Sequence, residues 1–114
     1  MTKRIAQTPI LHRVVEFNGV LHFSGITATD YSLGMKLQTE QLLARFDTLL
    51  TEVGSDRTKV LTANIYLSDF SGKAQMNEAW CAFFDPQYLP SRATLGVNDL
   101  GKGCLIEVVF TAHL

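Results

Sequence analysis

Two charged residues stand in stretches that otherwise read as buried strand. Arg92 lies at the start of "SRATLGV", after a Leu89-Pro90 turn, and Glu107 interrupts the apolar run "CLIEVVFTAHL". A charge withdrawn from water is costly unless it is paired or used. The commoner explanation is structural: an ion pair, within the chain or between copies of it, or a place at an exposed edge. The functional explanation gives each side chain a task. A guanidinium is a rigid fork of donors that matches a carboxylate two bonds at a time. A carboxylate on a strand can order a water molecule and accept its proton. Arg92 and Glu107 are the minimum set for adding water to a small electrophile that carries a carboxylate.

The elements that must position them follow from pattern. "RVVEF-NG-VLHFSGIT" reads as a hairpin from about Arg13 to Thr27, because Asn18-Gly19 suits the positive φ of a type I′ turn. "TDYS" is a loop, with Ser32 as the expected helix cap. Leu42, Phe46, Leu49 and Val53 recur at helical spacing, Leu43 and Leu50 widen the stripe, and Gly54 is a natural stop. "KVLTANIYLSD" is a strand with Leu61, Ala63, Ile65 and Leu67 on one face. Thr62, Asn64, Tyr66 and Ser68 take the other. A second helix runs through "SGKAQMNEAWCAFF", with Met76, Trp80 and Phe83 on one stripe, and ends at Asp85-Pro86. Two strands close the chain, Arg92 to Asn98 and Cys104 to His113.

The expected fold is α+β, in the order β-β-α-β-α-β-β, as one domain over residues 1–114. The strand–helix–strand units make the sheet mixed, and two helices cover one of its faces. The other face, with Tyr66 and Thr62, is too apolar for water and too polar for a private core. Self-association would cover it. Alternation puts Ala93, Leu95 and Val97 under the helices and Arg92, Thr94 and Gly96 on the open face.

The 114 residues carry a net charge of −1, and 46% of them are hydrophobic. That suits one globular domain and gives no electrostatic footprint for nucleic acid. Neither a signal-peptide core nor an apolar run near the ~20 residues of a membrane span is present. Cys81 and Cys104 make no disulfide framework and read as free, buried thiols, which suits a cytoplasmic protein. The Cys and His spacing fits no zinc site, and no phosphate-binding glycine motif occurs, so neither a metal nor a cofactor is expected.

"PSRAT" followed by "LIEV", with "LHFSGI" after the hairpin turn, resembles the Rid family (YjgF-type, reactive-intermediate deaminases) over about Arg13 to His113. The "MN-AW-AFF" helix supports it. The resemblance implies a chorismate-mutase-like fold and a homotrimer with ligand clefts between neighbouring subunits. It also implies hydrolysis of 2-imino acids and enamines to 2-oxo acids and ammonia, with no cofactor. By the same resemblance Arg92 grips the substrate carboxylate and Glu107 serves the attacking water. Ser24 and Gly25 line the cleft, and the backbone at Thr94 helps bind the imine. His12 lies in the N-terminal segment that lines the cleft in this family. Deaminase-type members have a cysteine at the position of Thr94 and a tyrosine near Leu11–Arg13. These differences favour an alternative, a catalytically silent trimer that senses a small carboxylate through Arg92. Ribonuclease activity, ascribed to some relatives, fits poorly with the mild acidity.

Other residues read as structural. His22 and His113 are scattered, Trp80 and Phe83 suit a core, and Ser24 lacks a visible base, so it is a hydrogen-bonding group and not a nucleophile. Tyr66 is expected at the subunit interface or the cleft wall.

Overall fold

A computed structural model describes residues 1–114. Its strands are β1 (Thr2–Gln7), β2 (His12–Phe17), β3 (Val20–Phe23), β4 (Ile26–Thr27), β5 (Val60–Leu67), β6 (Ser91–Gly96) and β7 (Ile106–His113). The helices are α1 (Met35–Glu52), between β4 and β5, and α2 (Lys73–Phe83), between β5 and β6. One mixed sheet runs in the order β1-β2-β3-β7-β5-β6, and β4 pairs with β7 beyond the end of β3. Only β5 and β6 are parallel, and α2 is the crossover between them. The expected α+β class and the two-helix layer are both present.

Local chemistry explains the boundaries. Asn18 and Gly19 take φ of 52° and 80°, the positive pair that a tight hairpin between β2 and β3 requires. Gly54, at φ 86°, ends α1. The inner stripe of α1 buries Leu42, Leu43, Phe46 and Leu50, while Leu49 and Val53 pack at its margin. Phe46 stacks on Phe110 of β7 with centroids 3.7 Å apart, and Trp80 of α2 lies parallel to the same ring at 5.9 Å. Asp30, Asp56 and Asp69 each accept the backbone N–H and the hydroxyl of the residue two further on, Ser32, Thr58 and Ser71. Those bonds hold the three carboxyls below the usual carboxylate range.

The molecule measures 42 × 37 × 21 Å. That thickness admits one sheet and one helix layer and leaves a face of the sheet without a cover. No helix is long and apolar enough to cross a membrane.

Several expectations are corrected. The N-terminal segment forms β1, an edge strand exposed along nearly its whole length. The hairpin is interrupted at Ser24-Gly25, where an irregularity in the pairing with β7 separates β3 from β4. Gly34, not Ser32, is the N-cap of α1, and Ser32 turns back to Asp30 instead. β7 begins at Ile106 and β6 ends at Gly96. A register shift between Val60 and Thr62 exposes Leu61 and buries Val60 in its place. Cys104 is buried as expected, but Cys81 is exposed on α2. The largest correction concerns Arg92. It pairs with the buried Ala63, and adjacent residues of parallel strands share a face, so Arg92 lies on the helix side. Leu95, expected beneath the helices, is 45% exposed.

Candidate functional site

Each of the two charges has a built setting. Arg92 leans from edge strand β6 onto α2. Its Nη2 donates to Oδ1 of Asn77, Nη1 approaches the sulfur of Met76 at 4.0 Å, and the guanidinium stands 5.5 Å from the centre of the Trp80 ring. An amide oxygen and an aromatic face hold the fork while leaving its charge uncompensated. Half-buried Thr94 follows on the same face, beside Ile65.

Glu107 lies on the opposite face. Its neighbours Ile106 and Val108 are fully buried under the helices, so the carboxylate points to the open side. Its cross-strand partners are Tyr66 of β5 and Thr27 of β4. Gly25 makes room for it. A Cβ at that position would stand 2.9 Å from Cδ of Glu107 and closer still to Oε2. Ser24 sits at the step before Gly25, its N–H bonded to the carbonyl of Arg13. His12 opens β2, half-buried, opposite Gln7 of β1. The structure therefore brings Ser24, Gly25 and Glu107 together and puts Arg92 and Thr94 elsewhere on the protomer. Neither Arg92 nor Glu107 is in an ion pair; the pairs present are Lys36–Glu78, Arg57–Asp47 and Lys59–Asp56.

A buried amide fixes the loops beside Glu107. Gln38, on α1 and without exposure, donates through Nε2 to the carbonyls of Leu33 and Gly103, each at 2.9 Å. Its Oε1 accepts the N–H of Leu105 at 3.0 Å. The loop before α1 and the loop before β7 are thereby tied to one side chain. Tyr31, on the first of these loops, reaches Thr27 Oγ1 with its hydroxyl at 2.8 Å. Burial pushes the Cys104 thiol up, its 3.4 Å bond to the carbonyl of Ile106 works against the rise, and the Glu107 charge adds to it.

Gly25 also lines a groove of about 410 Å³ between β4 and α1, with Arg13, Thr27, Arg45, Thr48 and Glu52 around it. Arg45 is held there by a 2.8 Å bond to the carbonyl of Thr27. No three His, Cys, Asp or Glu side chains converge in a way that would hold a metal ion.

Asn77, Gln38 and Tyr31 were not singled out by the sequence pattern. Asn77 follows a core methionine on α2, and only the docking of β6 against that helix brings it to Arg92. Gln38 occupies a core position on α1, and a polar residue there was the one available signal.

The endoribonuclease L-PSP family model matches residues 1–114. This chain is a member of the YjgF/Rid family. Within that family it is 31% identical over 114 residues to a RutC family protein of Haemophilus ducreyi, covering 100% of this chain and 97% of the other. A YjgF-family protein from Neisseria meningitidis superposes with a TM-score of 0.91 at 31% identity, over 99% and 94% of the two chains. RidA from an Antarctic Psychrobacter superposes at 0.85 with 26% identity, over 98% and 94%.

Proposed function

We propose that the protein hydrolyses reactive 2-imino acids and their enamine tautomers to 2-oxo acids and ammonia. The observation that carries this reading is the unpaired state of both charges, each in a prepared setting: Glu107 over Gly25, and Arg92 between Asn77 and Trp80. Because the two face opposite sides of one sheet, a working cleft joins Arg92 and Thr94 of one protomer to Ser24, Gly25 and Glu107 of the next. A ring of protomers supplies such clefts, and a homotrimer is the assembly that the family resemblance implies. His12 belongs to the N-terminal wall of the cleft.

The chemistry asks little of the protein. A protonated imine carbon is already electrophilic. Arg92 holds the substrate carboxylate, which fixes that carbon relative to a water on Glu107. Glu107 takes a proton as the water oxygen bonds to carbon. That proton and the remaining hydroxyl proton then leave with nitrogen as the C–N bond breaks and the carbonyl forms. The products are the 2-oxo acid and ammonium.

The alternative is a silent trimer that senses a small carboxylate. The threonine at position 94 and the lack of an N-terminal tyrosine are what favour it. Although the family model is named for a ribonuclease, a net charge of −1 offers little to a polyanion.

Two variants decide between the readings. Glu107→Gln is nearly isosteric and should keep carboxylate binding while losing ~10²–10⁴-fold in turnover, the range for a lost general base. Arg92→Lys keeps the charge and loses the fork, so carboxylate affinity should fall by roughly tenfold or more. The assays are calorimetry with a 2-oxo acid, and 2-oxo acid release from imines generated in situ by an amino-acid oxidase. Equal hydrolysis by wild type and Glu107→Gln removes Glu107 from the mechanism. Carboxylate binding without any wild-type hydrolysis selects the sensor.

A further inference from the structure

Tyr31 and Thr27 form a hydroxyl pair beside Glu107 that the proposed mechanism has not used. Thr27 and Glu107 are direct cross-strand partners on the open face, so their side chains are roughly 5 Å apart. The Tyr31 phenol oxygen is 2.8 Å from Thr27 Oγ1, and its side of the residue is open, with 39% of Tyr31 exposed. It therefore lies within the length of a small ligand from the carboxylate. The loop carrying Tyr31 is fixed from two sides. Gln38 ties its neighbour Leu33 to Gly103, and the backbone of Gly103 passes so close that a Cβ there would stand 3.0 Å from the Tyr31 carbonyl oxygen.

The hydrogen bonds of the pair can run in two directions. Thr27 has one hydroxyl proton and two partners, the carbonyl of Ala28 at 3.1 Å and the oxygen of Tyr31. When Thr27 donates to Ala28, Tyr31 donates to Thr27 and turns free lone pairs outward. When Thr27 donates to Tyr31, the phenol proton is released to point outward. One arrangement accepts a hydrogen bond and the other donates one, and no proton leaves either oxygen.

We propose that Tyr31 binds the heteroatom on C2 of the ligand, with Thr27 reversing the polarity of that contact between substrate and product. A protonated imine carries N–H donors and calls for the accepting arrangement. The 2-oxo product carries only acceptor lone pairs and calls for the donating one. A carboxylate in the same place would serve the first and repel the second; an amide or ammonium donor would do the reverse. The pair thus makes the cleft specific for acids bearing nitrogen or oxygen at C2, as against plain carboxylates. This rests on reading the cleft as a 2-imino or 2-oxo acid site.

The test uses the intact protein and two ligands of one length, 2-oxobutanoate and butanoate, titrated by calorimetry. Wild type should prefer 2-oxobutanoate. Tyr31→Phe keeps the ring and should weaken 2-oxobutanoate by about tenfold, the worth of one such bond, with butanoate unchanged. Thr27→Val leaves the phenol in place without its reciprocating hydroxyl, and should reduce the preference by a smaller factor. Equal weakening of both ligands by Tyr31→Phe, or a preference that survives both substitutions, overturns the proposal while leaving the cleft reading intact. A wild type that binds butanoate as well as 2-oxobutanoate overturns the proposal and removes the imine from the cleft reading as well. In turnover, Tyr31→Phe should raise KM for the imine, and Arg92→Lys combined with it should lose both contributions.

Discussion

At residue 25 a single methyl group separates two outcomes. Glu107 occupies the space where a side chain would begin, and Gly25 has no unusual backbone angle that would demand glycine for its own sake. The requirement is purely steric. Gly25→Ala should leave the fold intact, because the half-buried carboxylate can swing toward the open face, but it would displace the group proposed to serve the water. A shift of about 1 Å in a reacting group costs on the order of a hundredfold in rate. The measurement is the coupled assay beside a circular-dichroism melt; full activity in a folded Gly25→Ala protein would mean that the carboxylate need not sit over residue 25. This residue also shows what the sequence made legible. Arg92 and Glu107 stood out because charge in an apolar strand is conspicuous. Which side of the sheet each would face was not legible for Arg92, since an edge strand with an exposed Leu95 and an exposed Ala93 carries no clear inside.

At the scale of elements, the long periodic segments were legible and the short irregular ones were not. α1 shows its buried stripe in every turn, and Asn18-Gly19 announces its hairpin. β1 shows nothing of the kind, because Ile5, opposite Val14 and packed at the margin of the core, is its one large apolar residue. The bulge that exchanges Leu61 for Val60 is set by the partner strand β7, which local alternation does not contain. The irregularity at Ser24-Gly25 is likewise set by β7, which pairs with both β3 and β4. Gln38 joins these local irregularities to the site. Its amide serves three carbonyls, of Tyr31, Leu33 and Gly103, and one N–H from two loops, and the side chain has no exposure to solvent. Gln38→Leu fills the volume but strands those groups, and should destabilise the protein by about 2–4 kcal/mol. Chemical denaturation measures it, and a loss below ~1 kcal/mol would mean that the loops find other partners.

At the scale of the whole molecule, the slab is unfinished. It is 21 Å thick, with helices on one side and Tyr66, Val109 and the exposed Leu95 on a sheet with no second layer. Light scattering at micromolar concentration should find three times the 12.7 kDa chain mass. A monomer would leave Arg92 and Glu107 on opposite sides of one sheet, with no cleft to share. The separation of those two charges has a genetic consequence. If every cleft borrows one group from each neighbour, two dead proteins can repair each other. Arg92→Ala and Glu107→Gln subunits, unfolded together and reassembled at random in equal amounts, would rebuild an intact pair in about a quarter of the clefts, because each half is sound with even odds. Two inactive alleles carried in one cell would then complement, and activity recovered on mixing would trace the seam along which the subunits meet.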